Sequence, residues 1–157
     1  MQDPLLLPVW QDLQNGGLFM KVSLCVVAYN EERYLPGMFE NIKAQTYPHN
    51  KIEIVFVDSC SSDDTKKKML AFQQEYQGEF ESIHVLDNPG KILSCGWNEA
   101  LTHFSGDMIV RVDAHSQIPP EFVENNVRVL ESGEDVCGGV RPTIVEDDSD
   151  WSATLHL

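Results

Sequence analysis

The segment Arg111-Val112-Asp113-Ala114-His115 sets three ionisable side chains at alternate positions. In an extended strand alternate residues share one face, so Arg111, Asp113 and His115 point the same way. A carboxylate oxygen and an imidazole nitrogen in that arrangement can both ligate one octahedral divalent cation, manganese or magnesium, leaving positions for two phosphate oxygens and water. The same residues allow an Arg111–Asp113 ion pair beside a surface His115, and the motif in isolation favours that reading, which the context of the other strand ends reverses. A second carboxylate, Asp58, finishes the apolar run from Ile52 to Val57. An acid ending a buried strand must find a partner, and this one can accept a hydrogen bond from the imide N–H of a uracil or a comparable base donor.

Two further loops carry polar clusters. Ala28-Tyr29-Asn30-Glu31-Glu32 follows the first apolar run with no glycine where a dinucleotide-binding G-x-G-x-x-G would fall, which disfavours an NAD site. Asn30 can cap the helix that follows while Glu31 and Glu32 complement its dipole, or these residues can touch a ligand, and both roles can hold together. Ser61 and Asp64 have capping-box spacing, so the stretch Ser61 to Asp64 is expected to be structural.

The elements that must position these groups follow from hydrophobic period. Val22 to Ala28, Ile52 to Val57, Ser82 to Leu86 and Met108 to Asp113 read as strands, the first as one buried on both faces. Between them, residues 31–45 read as a helix burying Leu35, Phe39 and Ile42. Asp64 to Tyr76 is a helix with Met69, Phe72 and Tyr76 inward, and 93–104 one that buries Trp97, Leu101 and Phe104. Pro119-Pro120 opens a last helix with Val123, Val127 and Leu130 inward. Strands alternating with helices of this length specify an α/β, doubly wound, mostly parallel sheet with ligands at the carboxyl ends of its strands. Asp58, Asp113 and the loop after Ala28 all fall at those ends.

Composition narrows the ligand. The chain has 157 residues, 42% of them hydrophobic, enough for one core. Its 25 acidic against 11 basic residues give a net charge of −14, which would repel a nucleic-acid backbone. An acidic protein that holds an anionic ligand needs a divalent cation or helix N-termini to offset repulsion. Cys25, Cys60, Cys95 and Cys137 form no C-x-x-C pair, so neither a zinc ribbon nor a thioredoxin-like site is indicated, and a reduced, cytoplasmic setting is expected. The apolar stretch Leu5 to Trp10 is broken by Pro8 and far short of the ~20 residues of a membrane helix, so residues 1–20 are expected to be a leader segment.

Taken together, Val26 to Glu32, Val57 to Thr65 and Arg111 to Ser116 resemble, in order and spacing, the family 2 glycosyltransferases. Asn88-Pro89-Gly90-Lys91, Trp97-Asn98, Asp113-Ala114-His115-Ser116 and Pro119-Pro120 are most similar to its succinoglycan-type exopolysaccharide branch. The resemblance covers roughly residues 21 to 140. It implies a GT-A fold, a nucleoside-diphosphate sugar as donor with UDP first, and a D-x-D-type metal site at Asp113 and His115. Ala28, Tyr29, Asn30 and Glu31 would line the nucleoside pocket, Asp58 would bind the base, Lys91 would sit near ribose or diphosphate, and Asp113 would serve nucleotide as well as metal. Residues 21–142 would form the nucleotide-sugar-binding half and 143–157 an acidic loop or truncated continuation.

Two positions depart from the pattern. Ser59 stands where many members have a second acid, which puts base or ribose contacts in doubt. Gly96-Trp97 precede Asn98 where many have an Arg, which puts diphosphate contacts in doubt. The implied reaction is a direct displacement at the anomeric carbon with inversion, onto a glycan or glycolipid acceptor, in polysaccharide biosynthesis. The family's base lies on a later segment and is expected outside this chain, with the run Glu146, Asp147, Asp148 and Asp150 read as a solvated loop. Membrane association would come through segments not present here. Two alternatives are a truncated nucleotide-sugar-binding module and a nucleotidyltransferase, the latter disfavoured because the loop after the first strand is neither glycine-rich nor basic.

Overall fold

The structure is a computed structural model that describes residues 19–139. The proposed boundary at 142/143, most of the leader segment and the acidic run from Glu146 to Asp150 lie outside the described residues. Four strands, β1 (Val22–Ala28), β2 (Ile52–Asp58), β3 (Ser82–Asp87) and β4 (Met108–Asp113), form one wholly parallel sheet in the order β3-β2-β1-β4. Helices α1 (Leu35–Lys43), α2 (Thr65–Tyr76), α3 (Leu93–His103) and α4 (Phe122–Glu131) connect or follow them. The expected doubly wound α/β architecture is present.

Both central strands are buried along their whole length, as their unbroken apolar runs require. One face of the sheet carries Leu24, Val26, Ile54, Phe56, Val110 and Val112, packed against Leu35, Met38 and Ile42 of α1, Met69 and Phe72 of α2, and Val123 and Val127 of α4. The opposite face carries the smaller cluster Cys25, Val27, Val55 and Val57 under Ala100 and Trp97 of α3. The chain runs β1, β2, β3 in one direction and then returns across the sheet to lay β4 on the far side of β1. That reversal opens a crevice between the carboxyl ends of β1 and β4, where a doubly wound sheet binds ligands. Register keeps the ends level, Val27 lying opposite Asp113 and Ala28 opposite Asp58.

Several local expectations are corrected. The first helix begins at Leu35 rather than residue 31, because Glu31 to Tyr34 turn before it. Asn30 therefore does not cap it, and its N-cap, Tyr34, makes no side-chain cap bond. Ser61 and Asp64 form no capping box: Asp64 caps α2 without a side-chain bond, and Ser61 Oγ is taken by the Asn30 N–H at 2.9 Å. On α3, Leu101 and Phe104 face outward, whereas Gly96 and Ala100 face the sheet. The reason is closeness: a Cβ on Gly96 would come within 2.5 Å of Val27 Cγ1, so the helix approaches β1 through its smallest residues. Ahead of β1, Phe19 packs edge-on against Tyr47 and the Tyr47 hydroxyl donates to the Met20 carbonyl at 2.7 Å. Among the described residues no helix is long and apolar enough to cross a membrane.

Candidate nucleotide site

Three loops meet at the carboxyl end of the sheet, and each contains one non-glycine residue in left-handed backbone: Asn30 (φ 54°), Cys60 (φ 59°) and Lys91 (φ 62°). Such conformations cost of order 1–3 kcal/mol each and persist only where neighbours hold them. Here the loops hold one another. Asn30 Oδ1 accepts from the Ser62 N–H at 2.8 Å, and Thr65 Oγ1 accepts from the Glu31 N–H at 2.8 Å. Glu32 Oε2 accepts from the Asp64 N–H at 2.7 Å, while Asp63 Oδ2 accepts from the Glu32 N–H at 3.2 Å. Bonding to N–H and hydroxyl donors outweighs desolvation and holds the Asp63 carboxyl below its usual range. Asn30 is thus a strut between the loops after β1 and β2.

Asn88, which entered the sequence reading only through the Asn88-Pro89-Gly90-Lys91 resemblance, is the second strut. It is fully buried, and its Nδ2 donates to Ser59 Oγ and to the Ile92 carbonyl, both at 2.9 Å. Its own N–H donates to the Asp58 carbonyl at 2.8 Å, and its carbonyl accepts from Cys60 Sγ at 3.5 Å. Sequence reasoning missed this role because it is visible only once β2 and β3 are paired. A polar residue directly after a strand, followed by Pro89-Gly90, was the available signal.

Between these loops and the end of β4 lies an open cleft of about 260 Å³. Ala28, Tyr29, Glu31, Lys91, Asp113 and His115 line it, together with Ser59, Leu93 and Arg111. Six of the eight site residues singled out in the sequence therefore converge. Asn30 and Asp58 do not line it. Asp58 is 2% exposed behind Ser59, and its carboxylate accepts from the Ser61 N–H at 3.2 Å.

At the end of β4 the strand turns, the Ser116 N–H closing on the Asp113 carbonyl at 2.8 Å, which lifts His115 into the cleft mouth with 59% of its side chain exposed. His115 Nδ1 lies 3.0 Å from Glu31 Oε1. In a neutral imidazole that donates Nδ1–H to this carboxylate, Nε2 keeps a lone pair for a ligand. The Arg111–Asp113 ion pair is also present, Nη2 and Nε lying 3.2 and 3.3 Å from Asp113 Oδ1. Among the described residues no three His, Cys, Asp or Glu side chains gather as a cage for a metal. A carboxylate and an imidazole nitrogen at a cleft wall nevertheless fit an ion of the magnesium or manganese kind, which binds through one or two protein groups plus ligand phosphates.

The sequence model described as Glycosyl transferase family 2 matches residues 23–156. The undecaprenyl-phosphate 4-deoxy-4-formamido-L-arabinose transferase of Yersinia enterocolitica is 35% identical over 127 residues, a match spanning 77% of this chain and 37% of that protein. Its counterpart in Serratia proteamaculans is 33% identical with the same coverage. The chain thus spans little more than a third of the length of these curated relatives. Among solved structures, S. aureus TarS in complex with UDP-GlcNAc superposes with a TM-score of 0.59 at 27% identity, over 72% of this chain and 32% of that one. The mannosyltransferase PcManGT from Pyrobaculum calidifontis, in complex with GDP-Man and Mn2+, gives 0.59 at 25% identity, over 73% and 36%.

Proposed function

Because the chain belongs to glycosyl transferase family 2 and has its GT-A fold, we propose that its cleft binds a nucleoside-diphosphate sugar, a UDP-sugar first, for inverting transfer to a glycan or lipid-linked acceptor. The observation that carries this reading is the convergence of Ala28, Tyr29, Glu31, Lys91, Asp113 and His115 on one cleft at the topological switch point. The UDP-GlcNAc complex of TarS supports the donor class, and the name of the Yersinia relative supports a lipid-phosphate acceptor in glycan synthesis. The lipid-phosphate acceptor in that name also supports a setting at the cytoplasmic face of a membrane.

In this reading each residue has a task. Tyr29 presents an exposed ring beside the cleft for the nucleoside, and Asn30 keeps that loop in place through Ser62. Asp58, off the cleft wall and bonded to the Ser61 N–H, would receive the base's donor on displacement of that loop. Lys91, on its left-handed turn, brings a cation toward ribose and diphosphate. Asp113 and His115 would hold the divalent ion, with Glu31 fixing the imidazole tautomer. When bound, such an ion supplies positive charge to the departing diphosphate. Binding of UDP, UDP-GlcNAc and UTP with manganese, followed by quenching of tryptophan fluorescence, tests the ligand class. We expect UDP and UDP-GlcNAc to saturate the chain. Saturation by UTP alone would favour a nucleotidyltransferase, and no binding of any uridine nucleotide would overturn the proposal.

A further inference from the structure

We propose that Arg111 is the diphosphate-binding cation of this cleft and that Trp97 is the platform that positions it, an inference that rests on the nucleotide-sugar reading above. The Arg111 guanidinium carbon lies 4.9 Å from the centre of the Trp97 ring. Trp97 is itself fixed. Its helix sits close on β1 through Gly96, its ring packs on the cluster of Cys25, Val27, Val55, Val57 and Ala100, and its indole nitrogen is buried with no hydrogen-bond partner. A guanidinium stacked on an immobile indole loses less freedom on binding an anion than a lysine swinging on a four-carbon stem.

The position of this stack answers the departure seen in the sequence. Trp97 stands before Asn98 where many members of the family carry an arginine, so α3 offers no cation there. Arg111 arrives from β4, across the sheet, and places its charge over that very residue. It lines the cleft with Lys91, and its side chain remains 55% exposed. Its two contacts with Asp113 fall on a single oxygen, Oδ1, and use two of the five N–H donors of the fork. The remaining donors suit the paired oxygens of a phosphate. Where Asp113 would hold a divalent ion, Arg111 seated on Trp97 would offer its donors to a diphosphate oxygen. On the cleft wall Lys91 and Arg111 balance Glu31 and Asp113, so in a chain of net charge −14 this is a locally neutral site, which a divalent ion would tip toward an anionic ligand.

Calorimetric titration of UDP and of UMP with manganese, on the wild-type chain and on Arg111→Met, Arg111→Lys, Trp97→Phe and Trp97→Leu, tests this, with melting temperatures as a check on folding. Arg111→Met is expected to weaken UDP by roughly tenfold or more and UMP far less, the effect of one charge-assisted contact to the second phosphate. Arg111→Lys should recover part of that loss. Trp97→Phe, which keeps a ring, should bind better than Trp97→Leu. UDP affinity unchanged in Arg111→Met, or a loss equal for UDP and UMP, would overturn the assignment while leaving the nucleotide reading intact. Failure of the wild-type chain to bind UDP would overturn both.

Discussion

Glu53 offers a quantitative test of how the site's scaffold is held. It is the second residue of β2, at the amino end of the sheet, 2% exposed, yet it is a carboxylate. Its Oε2 accepts from the Ser105 N–H at 2.8 Å and from Ser23 Oγ, and its Oε1 accepts from Ser105 Oγ at 2.7 Å and Ser82 Oγ at 3.5 Å. Ser23 Oγ in turn accepts from the Gly106 N–H at 2.9 Å. One acid thus ties β1, β2, β3 and the turn that sends the chain into β4. Desolvation alone would raise its pKa, but the bonds from Ser23 and Ser105 and the charge of Lys21 outweigh it, so the carboxyl is held below its usual range.

Replacing Glu53 by Gln can be accommodated in one orientation. The amide oxygen must take the Oε2 position, because the Ser105 N–H cannot reverse, while the amide nitrogen takes the Oε1 position, where the Ser105 and Ser82 hydroxyls can rotate to accept. A charge-assisted bond of about 1.5–3 kcal/mol becomes a neutral one of about 0.5–1.5, so the expected loss is about 1–1.5 kcal/mol for each bond weakened in this way. Glu53→Ala leaves the buried Ser23 hydroxyl without its acceptor, removes the partner of the Ser105 N–H and opens a void, and is expected to cost about 2–4 kcal/mol. The linkage sign follows from the lowered folded pKa. The charge's contribution is complete above the unfolded value near 4.3 and is lost as pH falls below it through the folded value. Urea denaturation at pH 7 and at pH 4 measures both effects. Glu53→Gln should flatten the acid-side loss of stability that the wild type shows. A Glu53→Ala chain within 1 kcal/mol of wild type, or a Gln variant with an unchanged pH slope, would refute the reasoning.

Other outcomes follow from the same geometry. Asp58→Asn should weaken UDP binding by roughly 1–3 kcal/mol with the fold intact; unchanged titration with a sharply lower melting temperature would make Asp58 a purely structural acid. Gly106→Ala should destabilise by more than about 2 kcal/mol, since its Cβ would lie 2.7 Å from the Lys21 carbonyl oxygen and 2.8 Å from the Ser23 nitrogen, backbone atoms that cannot yield. Equal urea midpoints for that variant and the wild type would contradict this. Burial pushes the Cys25 thiol up to about 12, with Glu53 adding to the effect, whereas Cys60 is exposed. Iodoacetamide at pH 8 followed by peptide mapping should therefore label Cys60 in the native chain and Cys25 only after unfolding.

Much of this architecture was legible because it depends on local pattern. Continuous β-branched runs such as Val22 to Ala28 mark strands buried on both faces, and the apolar periods of Leu35 to Ile42 and Val123 to Leu130 mark helices that pack on them. Parallel pairing then carries Asp113 and the loop after Ala28 to one end, so the cleft's position followed from the fold class. What depends on contacts between distant segments was not legible. The apolar stripe Trp97, Leu101, Phe104 looked like the inner face of α3, but the distance to β1 is set by Gly96 and Ala100, which periodicity undervalues. Asn30 and Ser61 read as caps of their own helices because their spacing fits local capping, whereas each is used to bridge two loops. Arg111 read as a partner of Asp113, and its seat on Trp97 required the crossing from β3 to β4.

The most direct measurement is titration of UDP into the wild-type chain and into Asp113→Ala, each with manganese and with a chelator. With manganese the wild type should bind UDP, and the chelator should weaken that binding by at least about tenfold, or ~1.4 kcal/mol. Asp113→Ala should bind weakly and to the same extent in both. Equal wild-type affinity with and without chelator would contradict a cleft in which Asp113 and His115 bring a divalent ion to the diphosphate.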